Sequence, residues 1–141
     1  MTTNPADRLR PLRQIRQIRE FTDEPVDRAA LDAIADVGRW SGSSSNSQPW
    51  RFIVVTDAAV LRRLAVIGLP QTRSLQTATA AIAIVLPADD GHEVGHAYDE
   101  GRAAERILIA AHMLDLGAGI AWILWAFALR SARSSACRPI E

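Results

Sequence analysis

Two stretches carry side chains that could do chemistry: Arg16-Gln17-Ile18-Arg19, and the run from Ser41 to Trp50, Ser-Gly-Ser-Ser-Ser-Asn-Ser-Gln-Pro-Trp. Two guanidinium forks on one helical turn can grip one phosphate bidentately, which lysines do less well. The Ser-rich run cannot build a core. It supplies hydroxyls, amide side chains and accessible backbone N–H groups, the equipment of a loop that holds an anionic or polar ligand. Each stretch also has a plainer reading. Arg8, Arg10, Arg13, Arg16 and Arg19 recur about every three residues, as on a solvated helix face, and a serine run is often only a connector.

Other candidates are thinner. His92-Glu93-Val94-Gly95-His96 matches a zinc-binding His-Glu-x-x-His literally, but such a site needs a stable helix and a third ligand. Here the segment follows Gly91 and contains Gly95, so an exposed helix entrance is the expected role and no metal is assigned. Cys137 stands alone in a polar tail without a base beside it. Gly117-Ala118-Gly119 ends a helical pattern rather than opening one, unlike a dinucleotide fingerprint.

Asn46-Ser47-Gln48-Pro49-Trp50-Arg51-Phe52 and the apolar run after it resemble the signature of the nitroreductase family, roughly Pro-Ser-x-x-Asn-x-Gln-Pro-Trp-x-Phe before a strand. Gly42 stands where that family usually has Pro, and Ser43 matches its Ser. The block Arg16 to Val26 resembles the family's other N-terminal mark, an Arg-x-x-Arg-x-Phe segment followed by an acidic, Pro-containing turn.

The resemblance implies an FMN-dependent oxidoreductase that passes two electrons from NAD(P)H through flavin N5 to a nitroaromatic, quinone or similar acceptor. The flavin carries the chemistry, so no catalytic acid, base or nucleophile is assigned. By resemblance, Arg16, Gln17 and Arg19 hold the phosphate and ribityl end, while Ser43, Ser44, Ser45 and Asn46 line the flavin. Gln71 and Arg73 add a looser contact. Ile15 takes the place of a further family Arg, and Glu105-Arg106 replaces an amide pair, so neither receives a role. The loop is expected to reach a flavin bound mainly by the other subunit, which implies a homodimer. The implied fold is α+β: a nitroreductase-like three-layer α/β/α sandwich around a central, mostly antiparallel sheet. The likeness runs over about residues 12 to 125 and through the first part of a typical member. The tail from Ala126 reads as a shortened end, and the alternative is a non-catalytic remnant or interaction subunit with weak or no FMN binding.

The elements that must position these residues follow from patterning. Residues 1–8 read as a flexible lead, 9–126 as the FMN-binding domain and 127–141 as an atypical tail. A basic helix from Leu9 through Arg19 breaks at Phe21 to Pro25. Asp27 is placed to cap a second helix that buries Leu31, Ile34, Ala35 and Val37 or Trp40. Trp40 and Trp50 flank the Ser-rich loop and could border a site. Arg51 to Thr56 reads as a buried strand, Asp57 caps a helix through Leu64, and Gly68-Leu69-Pro70 ends it. Ala80 to Pro87 reads as a strand covered on both faces, followed by a turn at Ala88 to Gly91. The longest helix is expected from Val94 to Leu116. Ala97, Ala104, Ile107, Leu108, Ala111 and Leu114 or Leu116 would face inward, with Asp99, Glu100, Arg102, Glu105 and Arg106 pointing away. Ile120 to Trp125 reads as a third strand.

Composition narrows the class. The 141 residues suit one domain, 48% apolar and 23% charged. Sixteen basic residues balance sixteen acidic ones, so no global field draws nucleic acid or an anionic membrane. The apolar window from Ile107 to Leu129 is broken by His112, Asp115 and the two glycines, against a membrane span. One cysteine and an N-terminus without an apolar run point to the cytoplasm.

Overall fold

A computed structural model of the chain describes residues 4–87 and 91–123. The expected turn at residues 88–90, the end of the expected third strand at Leu124 and Trp125, and Cys137 lie outside the described residues. Helix α1 spans Pro5–Gln14, α2 Arg28–Arg39, strand β1 Arg51–Val55, α3 Ala58–Ile67, β2 Ala81–Val85 and α4 Glu93–Met113. Short 3₁₀ turns lie at Ser44–Asn46 and Arg73–Gln76.

Helix α1 begins inside the expected lead. Asn4 caps it by accepting the Ala6 N–H at 3.0 Å, and Pro5 sits in the first turn, where its missing N–H costs nothing. The helix stops at Gln14, five residues short of the expected end at Arg19. Pro11 lacks an N–H for the helical ladder, and no residue of α1 is buried, so little tertiary packing extends it. The next residues pair elsewhere: Gln17 forms a parallel bridge with Ala118, and Ile18 N–H donates to the Ala118 carbonyl at 2.8 Å.

Helix α2 starts after Asp27, although that carboxylate makes no capping hydrogen bond. Its buried stripe is Leu31, Ile34 and Gly38, while Val37 and Trp40, both candidates for that face, are exposed. At α3 the capping expectation holds, because the Asp57 carboxylate accepts the Val60 N–H at 3.0 Å. That helix runs one turn beyond Leu64.

Strands β1 and β2 pair antiparallel, with Ile53 opposite Ala83 and Val55 opposite Ala81. They are the sheet among the described residues. Neither strand is covered on both faces as expected: Ile53 is 51% and Val85 43% exposed. Residues 120–123 form no strand; the chain there is held by the Gln17–Ala118 bridge just before it and by hydrogen bonds of Ile120 with Gln17 and Arg19.

The core lies where α2 crosses α4. Ile34, Ala110 and Ala111 are buried together, with Ile82, Ile107, Leu116 and Ala118 packed against them. Alanines at 103, 110 and 111 let the helices approach closely, so small side chains here serve packing. Trp50 is buried, its ring 6.0 Å from that of Phe52. No helix among the described residues is long and apolar enough to cross a membrane.

Candidate functional site

The structure divides the sequence-predicted site residues between two places. The first is the Ser-rich loop, seated on the N-terminal half of α4. Both carboxylate oxygens of Asp99 accept the Ser44 N–H, at 3.0 and 2.9 Å. Asp99 is only 2% exposed, so the expectation that it points to solvent is wrong. Arg106, also placed outward, donates from Nη1 to the Trp40 carbonyl at 2.9 Å and ties the end of α2 to the same helix. Arg102 is half-exposed as expected, yet it lies over Gly42: a Cβ there would stand 2.5 Å from its Nη2.

The loop's own bonds complete the frame. Asn46 N–H donates to the Ser43 carbonyl and Ser47 N–H to the Ser44 carbonyl, both at 3.0 Å. Gln48 N–H donates to Ser43 Oγ at 2.8 Å, and its Nε2 donates to Asn46 Oδ1 at 3.1 Å. Ser45, Asn46 and Gln48 have φ of 51°, 54° and 46°. Left-handed backbone at a residue with a Cβ costs about 1–2 kcal/mol each. A buried charge-assisted hydrogen bond contributes about 1.5–3 kcal/mol, enough to offset one or two of them. Ser44 to Gln48 are nevertheless exposed, so the loop offers hydroxyls and amides outward on a fixed backbone.

The second place is an open cleft of about 600 Å³, lined by Arg19, Gln71, Arg73, Ser74, Ile120 and Trp122 among others. Gln17 and Arg19 converge on its wall. Gln17 Oε1 accepts the Ile120 N–H at 3.2 Å, and Arg19 Nη1 donates to the Ile120 carbonyl at 2.5 Å. The two chain segments meet so closely that a Cβ at Gly119 would stand 2.2 Å from the Ile18 carbonyl oxygen. Only glycine fits there. The other wall is fixed through Phe21 N–H, which donates to Thr77 Oγ1 at 3.1 Å, and Arg62, whose Nη1 reaches the carbonyls of Leu75 and Ala78.

Arg16 does not join them. Its Nη1 donates to the carbonyls of Arg13 and Ile15, at 2.7 and 2.8 Å, and closes the C-terminal end of α1. Arg16 and Arg19 therefore do not share a helical turn. On a near-extended segment, residues three apart point to opposite sides and residues two apart to the same side, which groups Gln17 with Arg19. None of Ser43, Ser44, Ser45 and Asn46 lines the cleft.

The residue missed by sequence reasoning is Asp99. The signal was present: Asp99, Ala103, Arg106 and Ala110 recur at four, seven and eleven residues, one stripe of a helix. Three of the four are buried. Among the described residues no group of three or more His, Cys, Asp or Glu side chains could hold a metal ion. His92 caps α4 from outside it, and its ring lies 6.2 Å from that of His96.

A long helix packed on α2, an antiparallel strand pair, a left-handed loop seated on the long helix and an arginine-lined cleft make an α+β fold shared with solved structures. A protein from Desulfovibrio desulfuricans, solved in complex with FMN, is 34% identical with a TM-score of 0.69 over 82% of this chain and 67% of that one. An FMN-dependent nitroreductase from Clostridium difficile is 31% identical with a TM-score of 0.66, over 76% and 61% of the two chains. The nitroreductase family model matches residues 12–82, half of the sequence, and the chain belongs to the nitroreductase family. It is also 32% identical over 93 residues to an oxygen-insensitive NADPH nitroreductase from Helicobacter acinonychis, a match covering 61% of this chain and 43% of that protein. The chain thus spans about half the length of the curated relatives it matches.

Proposed function

We propose that the chain is an FMN-dependent oxidoreductase, taking two electrons from NAD(P)H and delivering them to a nitroaromatic, quinone or similar small acceptor. The observation that carries this reading is the cleft. It sets two guanidinium groups, Arg19 and Arg73, against a single carboxylate, Glu20, beside the polar side chains of Gln71 and Ser74 and the apolar surface of Ile120 and Trp122. An anionic tail and a planar ring system fit that donor set, and the volume falls within the usual range for small-molecule sites, roughly 300–1,000 Å³. When bound, FMN supplies the two-electron chemistry itself.

The chain's own residues bind, orient and exclude water. Arg19 and Arg73 take the phosphate, with Gln17 holding the wall through Ile120. Arg16 contributes only on leaving the carbonyls of α1. Ser43, Ser44, Ser45 and Asn46 lie outside the cleft of their own chain, which supports a homodimer in which the loop of one copy lines the flavin of the other. The exposed Trp40 and Tyr98, 71% and 73% accessible, are apolar surface available to such a pairing. The balanced charge and single cysteine support a cytoplasmic enzyme with no nucleic-acid or membrane partner.

The visible absorption spectrum of the purified, desalted protein tests the reading. A flavin spectrum near one FMN per chain is expected, bleaching when NAD(P)H is added without air. A protein that stays colourless after incubation with FMN would sink it.

A further inference from the structure

We propose that Asp99 is a positioning residue for the flavin: its carboxylate holds the Ser44 amide and so fixes the backbone that presents the loop's donors. This deepens the FMN reading above and rests on it. A carboxylate 2% exposed must find donors or lose its charge, and Asp99 turns both oxygens to a single backbone N–H, at 3.0 and 2.9 Å. Arg102 pairs with it at 3.8 Å with a side chain 56% exposed, so that pairing is partly screened by water. The bond to Ser44 joins residues 55 apart in sequence, from the N-terminal half of α4 to an exposed loop. It falls immediately before the left-handed pair Ser45 and Asn46. Releasing Ser44 would let both residues relax to ordinary backbone, turning the Ser45 and Asn46 side chains away from their present directions.

A residue that merely supports the fold would behave differently from one that holds a binding loop. The test uses the full chain carrying Asp99→Asn, which keeps the size and one acceptor oxygen but removes the charge. Amide hydrogen exchange is read residue by residue by NMR, and FMN affinity by titration of flavin fluorescence. The expected result is exchange about tenfold faster at residues 44–48, with amides of α2 and β1 unchanged. FMN should bind about tenfold more weakly, while Arg102→Ala changes affinity by less than about threefold.

Unchanged loop exchange in D99N would overturn the proposal. So would faster exchange spread evenly over α2, β1 and the loop, the mark of a general structural role. If D99N fails to fold, the wild-type chain decides. A Ser44 amide protected at least about tenfold over an unfolded chain supports the proposal, and an unprotected one overturns it. Should the wild-type protein take up no FMN, the flavin reading falls on that result alone, and loop exchange still decides whether Asp99 holds Ser44.

Discussion

The Ser-rich loop and the arginine-lined cleft are built on opposite plans. The loop is exposed and strained, and it is bonded to the body of the fold by one amide, Ser44 N–H, which donates to the Asp99 carboxylate. The cleft is made by backbone meeting backbone: Ile18 on Ala118, with Gln17 and one guanidinium nitrogen of Arg19 bonded to Ile120. One region is shaped by a single buried group and can be retuned by changing it. The other is shaped by chain approach and tolerates little.

Glycine substitution separates the two plans most sharply. Gly119→Ala puts a Cβ against the Ile18 carbonyl oxygen, and should destabilise the protein by about 3 kcal/mol in urea denaturation. Gly42→Ala meets only the flexible end of Arg102, and should cost less than about 1 kcal/mol in the same assay. Equal losses would show that the loop is as tightly packed as the cleft.

The next largest effect is on ligand affinity. Removing Arg19 and Arg73 together should weaken FMN binding by about a hundredfold, since each charge-assisted contact is worth roughly 1.5–3 kcal/mol before solvent screening. Fluorescence titration measures this directly. The smallest effect is expected at Arg16, which caps α1 instead of lining the cleft: Arg16→Ala should shift FMN affinity by less than about threefold. An Arg16 effect as large as that of Arg19 would return both guanidinium groups to one phosphate.

These contrasts also mark where the sequence could be read. The loop was legible because its composition excludes a core and its neighbours Pro49, Trp50 and Phe52 frame it. Helix α4 was legible from its length and its alanines. The family model itself stops at residue 82, before α4 begins. The extended path of residues 15–19 was hidden, because a helical arginine spacing is overruled by pairing with Ala118, a hundred positions away in sequence. Asp99 was hidden by its own type. A carboxylate in a helix among charged neighbours reads as solvent-facing, and the Ser44 amide, supplied by a distant loop, helps offset the cost of its burial. The half-open strands belong to the same lesson. Apolar runs at β1 and β2 anticipate cover on both faces, and within one chain Ile53 and Val85 remain without it.

The claim that joins the two regions is that a cleft from one copy and a loop from another make one flavin site. Mixing two crippled chains tests it most directly. One carries Arg19→Ala and Arg73→Ala, the other Ser44→Ala and Asn46→Ala. The two are co-expressed with different tags, so that mixed dimers can be isolated and counted by mass. If the site is shared, a mixed dimer holds one intact site and one doubly defective site, and random pairing restores about a quarter of all sites to wild-type FMN affinity. Mixed dimers that form yet recover no tight flavin binding would show that the loop and the cleft do not serve one ligand.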